Sequence, residues 1–91
     1  MKPTEARTAA THALAEFRGL DYPVLVARLV NQVEIVNAPT TSGEEVEVEV
    51  QGFWDGEKDG DIRVIATVAT GIFRSASADF ILSPDGRFID E

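Results

Sequence analysis

The stretch that most constrains this chain runs from Glu44 to Thr70. Within it Glu45, Glu47, Glu49 and Gln51 alternate with Val46, Val48 and Val50. Successive side chains of a strand point to opposite faces, so one face here is valine and the other acid. After a loop containing Gly56 and Gly60, the residues Ile62, Val64, Ala66 and Val68 repeat the period of two. The pattern predicts an antiparallel hairpin, with strands near 45–54 and 61–70, whose apolar face lies on a core and whose polar face is wet. Gly52 interrupts the alternation and marks a candidate bulge that re-aims Phe53 and Trp54.

A one-sided sheet needs a cover, and the N-terminal third supplies one. Ala6, Ala9, Ala10, Ala13, Leu14 and Phe17 form a single stripe at helical spacing, which predicts a helix over residues 4–18. Thr4 is a candidate cap, with Glu5 near the positive end of the helix dipole, and Gly19 suits a left-handed position just past the end. The following segment carries two readings. Tyr22, Leu25, Val26, Leu29, Val30 and Val33 again fall at helical spacing, whereas the β-branched content favours a strand. Asp21 as a cap and Pro23 in the first turn favour a second helix, over 22–31, with a tight corner at Gly19–Asp21.

Val33 to Asn37 reads as a first strand and Ala38–Gly43 as a loop. Beyond Thr70 the position of the next turn is open, and the third strand either stops there or continues through Phe73. Ala78, Phe80 and Leu82 alternate with Asp79 and Ile81 as a fourth strand. Ser83-Pro84-Asp85-Gly86 is a turn, with room for a short last strand at Arg87-Phe88-Ile89. Helices followed by a meander give an α+β domain over residues 1–91. One or two N-terminal helices pack on one face of a four-stranded antiparallel meander sheet.

Composition narrows the function. Ninety-one residues make one domain with a modest core, and 44% hydrophobic content suits a folded chain. The absence of cysteine excludes a disulfide framework and thiolate chemistry. The opening M-K-P-T-E-A-R lacks an apolar h-region, and no apolar run approaches the ~18–20 residues of a membrane span. The expectation is a soluble, cytoplasmic protein. A net charge of −8, from 16 acids against 8 bases, argues against nucleic acid and anionic membrane, which both select basic surfaces, and favours a basic protein partner.

The segment from Thr4 to Asn37 is a helix followed by R-G-L-D-Y-P-V-L-V-A-R-L-V-N-Q-V-E-I-V. It resembles the opening of nuclear-transport-factor-2-like domains, where a small residue plus Asp joins two helices and the second leads into a valine–acid strand. The meander that follows is similar to that group and to the wider cystatin-like fold. The resemblance implies a two-layer α+β architecture. Enzymatic members of the group place His, Asp or Tyr inside a conical pocket. No such set maps onto this sequence, whose one histidine, His12, lies on the polar side of the first helix.

Three groups of residues are candidates for function. The ladder Glu45, Glu47 and Glu49 places like charges ~6.5–7 Å apart on one face, with Arg63 of the next strand as a source of relief. Outward-facing Ile65, Ala69 and Ile81, near Phe53 and Trp54, make an apolar patch unless Phe53, Phe73 or the last strand covers it. Asp55, Glu57 and Asp59, with Gly60 and Ile62, follow a calcium loop through its eighth position. The twelfth, which needs a bidentate Glu, is Ala66, so no metal is expected. No cofactor motif and no Ser-centred nucleophile motif is present. The leading expectation is therefore a non-enzymatic protein-interaction module acting through the outer sheet face, with Glu45, Glu47, Glu49, Trp54, Ile65 and Ile81 as binding residues. Its partner would be a basic protein or a second copy of the chain, and an acidic inhibitor or immunity-type protein is one form of it. The alternative, carried by the resemblance, is a small-ligand pocket between helices and sheet lined by Phe17, Tyr22, Trp54 and Phe80.

Overall fold

The computed structural model describes residues 1–71 and 74–91. Two helices, α1 (Pro3–Arg18) and α2 (Tyr22–Leu29), precede five strands: β1 (Val33–Pro39), β2 (Glu45–Trp54), β3 (Ile62–Gly71), β4 (Arg74–Leu82) and β5 (Phe88–Ile89). The strands form one antiparallel sheet in chain order, and both helices pack on the same face of it. The architecture is α+β, as the segregation of helices from strands requires. The sheet has five strands rather than four. Arg87-Phe88-Ile89 does contribute an edge strand, with Phe88 opposite Leu82 and Ile89 opposite Ile81.

The core follows the two periodicities. All six stripe residues of α1, from Ala6 to Phe17, are buried, and they meet Val48, Val50, Ile62, Val64, Ala66, Val68, Phe80 and Leu82 from the even-numbered face of β2–β4. Alanines let the helix axis approach the sheet closely. Phe17, Leu25 and Leu29, each fully buried, fill the space at its far end and contribute roughly 1.5–3 kcal/mol apiece. Phe80 and Phe88 pack edge-to-face at 5.6 Å, and the Arg18 guanidinium lies over both rings while bonding Glu91 at 2.8 Å. The C-terminus is thereby tied to the end of α1.

Several local expectations are corrected. The residue preceding α1 is Lys2 and Pro3 takes the first helical position, so Thr4 lies inside the first turn and does not cap it. Gly19 is right-handed, with φ −84°, because its N–H still bonds the Glu16 carbonyl. Asp21 precedes α2 but makes no side-chain cap. The second segment is a helix, yet it ends at Leu29, two residues earlier than its apolar spacing implies. Val30 turns extended and bridges Gly52 in parallel, and Asn31 takes a left-handed φ of 61°. Continuation of β3 through Phe73, and cover by Phe73, lie outside the described residues. The pairing of β3 with β4 shifts register between Ala69 and Gly71.

Gly52 is not a bulge. The β2–β3 register runs unbroken from Glu49↔Thr67 to Trp54↔Ile62, with Gly52 opposite Val64. The glycine is there because the end of α2 crosses the strand. A Cβ at this position would stand 2.9 Å from the Leu29 Cβ and 3.2 Å from the Ile62 Cδ1. Gly52→Ala is therefore expected to destabilise the fold by about 1–3 kcal/mol, the usual range for overpacking. Urea unfolding of the variant checks this; an unchanged midpoint contradicts the close approach.

Candidate functional site

The register of the sheet assigns the strand residues outside 70–74 to a face. On the helix-free face β1 presents Val33, Ile35 and Asn37; β2 presents Glu45, Glu47, Glu49, Gln51 and Phe53; β3 presents Arg63, Ile65, Thr67 and Ala69; and β4 presents Ser75, Ser77, Asp79 and Ile81. Glu45, Glu47 and Glu49 all lie exposed in one row on β2. Their neighbours across the β1 ladder are Pro39, Asn37 and Ile35, and across β3 Glu49 meets Thr67. None of those neighbours carries a charge.

Arg63 does not relieve the ladder as expected. It stands opposite Phe53, and its guanidinium bonds Asp55 at 3.0 Å and also Asp79. These two carboxylates raise its already high pKa further, by hydrogen bonding first and by charge second. The arginine is thus engaged at the far end of the face from Glu45.

The remaining site residues separate. Ile65 is on the outer face and half-buried. Ile81 is also on that face but only 8% exposed, flanked by Arg63 on one side and Ile89 on the other, so it contributes little to an exposed patch. Trp54 belongs to the opposite face, in register with core residue Ile62, because β2 continues through Gly52 without a bulge. Of this aromatic pair, Phe53 points outward, 48% exposed.

Two outer-face residues were missed in the sequence: Val33 and Ile35, 52% and 61% exposed. The alternation of V-E-I-V-N marks a strand there but does not say which parity faces the helices. Ile35 lines a shallow depression of about 220 Å³ with Glu47, Glu49, Thr67, Ala69 and Ser75. It arises because short side chains on β3 and β4 sit beside longer ones on β1 and β2. Its volume falls below the ~300–1,000 Å³ of small-molecule sites and matches the scale of a side chain. Apolar atoms of Ile35 and Ala69 are combined there with the carboxylates of Glu47 and Glu49, which have no ion-pair partner among the described residues.

A second, open depression of about 410 Å³ lies at the corner between the helices, lined among others by Arg18, Asp21, Tyr22, Asp85 and Phe88. Most of its polar side chains are engaged within the chain, Asp21 being the exception. Arg18 bonds Glu91, the Tyr22 hydroxyl donates to the Gly60 carbonyl at 2.7 Å, and Asp85 accepts from Ser83 and Arg87. The pKa of Tyr22 is raised by burial and by the nearby Asp59 and Asp61. That of Asp85 is lowered, chiefly by its bond from Ser83. The four residues expected to line one pocket do not do so: Phe17 and Phe80 are core, Tyr22 lines the corner and Trp54 lies at the end of β2. Among the described residues no three acid or histidine side chains converge to hold a metal, and no helix is long and apolar enough to cross a membrane.

On the helix side of β1, Glu34 forms a two-pronged ion pair with Arg28, at 2.6 and 2.9 Å, and Arg28 also lies over the Phe17 ring. The hydrogen bonds from Arg28 hold the Glu34 carboxyl below its ordinary pKa. The unfolded chain therefore binds more protons than the fold as pH falls through that range. The pair's stabilisation is present at neutral pH and is lost on acidification. Comparison of this chain with protein-family models, with curated proteins and with solved structures finds no match. In urea unfolding at falling pH, Arg28→Ala is expected to lie below wild type at pH ~7, the gap closing below about pH 4 as Glu34 protonates. A gap independent of pH would mean that Arg28 acts by packing on Phe17 alone.

Proposed function

We propose that this chain is a non-enzymatic protein-binding module that captures a lysine- or arginine-bearing partner segment on the outer face of its sheet. The observation that carries the reading is the depression between Ile35 and Ser75, where Glu47 and Glu49 stand exposed with no cation among their register partners. A long basic side chain has an alkyl stem and a charged head. The stem suits Ile35 and Ala69, and the head suits the carboxylates. Glu45 extends the same row, so an extended segment with basic residues at alternate positions would meet three acids in register. Binding would also relieve the repulsion along the ladder and would be steered by the net charge of −8.

A small-ligand site at the helix corner is the less supported reading. That depression has the volume for a ligand, but two of its three charged groups, Arg18 and Asp85, already serve internal contacts. The helix–sheet interface is filled by Phe17, Leu25 and the sheet's apolar residues, which leaves no room there for the pocket that the resemblance to nuclear-transport-factor-2-like domains implies.

The test uses a synthetic peptide alternating Lys and Thr, with a Glu–Thr peptide as control. The Lys–Thr peptide is expected to bind at low salt with an affinity that falls steeply as salt rises. Glu47→Lys combined with Glu49→Lys is expected to weaken it by about tenfold or more while leaving the thermal midpoint nearly unchanged. Equal binding by wild type and the double variant would overturn the assignment.

A further inference from the structure

We infer that a second copy of this chain pairs edge-to-edge along β1, joining two five-stranded sheets into one continuous sheet around a two-fold axis. β1 is the terminal strand of the sheet, so the outward N–H and C=O groups of its residues have no strand partner among the described residues. Such edges invite another strand unless they are shortened, charged or covered. On the opposite side β5 pairs only Ile81 and Leu82, so β4 from Arg74 to Phe80 is a second edge without a strand partner among the described residues, but its outer-face residues Ser75, Ser77 and Asp79 are polar. β1 is the more apolar of the two edges. It is seven residues long, its proline is the last of them, and its single charge, Glu34, faces the helices and is neutralised by Arg28. Val33 and Ile35 on its outer side are the most exposed large apolar side chains of the sheet among the described residues.

The edge is also its own complement. A two-fold axis through Ile35 sets Ile35 against Ile35 of the second copy, Val33 against Asn37 and Glu34 against Val36. No like charges then face each other across the new ladder. Because the axis passes through a residue, the faces of the two sheets stay continuous, helices with helices and outer side with outer side. Val33 and Ile35 of both copies form one apolar strip.

Charge selects this arrangement over face-to-face packing. Two outer faces in contact would bring the Glu45–Glu49 rows within ~10 Å of an equally acidic surface. Joined through β1, the two rows stand three strand spacings apart, ~14 Å, beyond the ~8 Å screening length at physiological salt. The pairing leaves the depression at Glu47 and Glu49 open, so it neither requires the basic-partner reading nor excludes it. A two-fold pairing consumes the β1 edge in both copies and closes at the dimer.

The experiment is light scattering of the full chain from about 1 µM to about 1 mM, the span over which narrow interfaces associate. A reversible monomer–dimer equilibrium is expected, persisting at high salt. Ile35→Lys is expected to raise its dissociation constant about tenfold or more, whereas Phe53→Lys, on the same face but on β2 and beyond its paired register with β1, leaves it within about twofold. Amide hydrogen exchange at residues 33–37 of the wild-type chain is expected to slow with protein concentration, a readout that does not depend on any variant folding. A monomer throughout the range, a dimer insensitive to Ile35→Lys, or a dimer without concentration-dependent protection in β1 overturns the proposal.

Discussion

The close seating of an alanine-faced helix on a valine-faced sheet is the interaction on which the rest of this structure depends. Ala6, Ala9, Ala10 and Ala13 add little volume, so α1 spans the sheet from β4 to β1 at short range. The bulk that a small domain needs is concentrated at one end, in Phe17, Leu25 and Leu29. That end is also where α2 must turn back, and the turn is possible because Gly52 offers no side chain to Leu29. Helix spacing, aromatic anchor and glycine form one packing solution, and a change in any of them is felt by the others.

Covering one face leaves the other to water, and the chain distributes charge accordingly. Cations near the core are each given a partner and a surface. Arg18 has Glu91 and two phenyl rings, and Arg28 has Glu34 and Phe17. Arg63 is shared by Asp55 and Asp79 at one end of the outer face. Glu45, Glu47 and Glu49 stand away from all of these. Native surfaces ordinarily intersperse the two signs. A row of one sign beside exposed Ile35 and Val33 is the least self-sufficient part of the molecule. Its interactions are incomplete among the described residues, which is why a partner is placed there.

Much of this was legible from spacing. The six stripe residues of α1 and the even-numbered valines of β2 and β3 are the core the periodicities imply, since a helix or strand with one apolar side has one way to bury it. The boundaries of β2 and β3 agree with the alternation to within about a residue. The site was less legible. The acid row was visible because charge alternates with valine over three repeats. The face of β1 was not, because Val33, Ile35 and Val36 are all apolar and parity alone decides which of them reach solvent. Ile81 faces outward as its alternation implies, and the last strand covers it, the alternative that spacing left open. Trp54 is turned toward the helices by an unbroken register where a bulge was expected.

The sequence by itself determined the two layers, the order of helices before strands, and the acidity of one sheet face. Those follow from local periodicity and composition, which need no knowledge of neighbours. Only the tertiary structure decided which residues stand beside the glutamates, that Arg63 is taken by Asp55 and Asp79, and that the terminal strand β1 turns Val33 and Ile35 to solvent. Strand register is the physical reason. It is a relation between segments distant in the chain, set by how both pack on α1 and α2. A shift of one residue would have moved every one of these side chains to the other face.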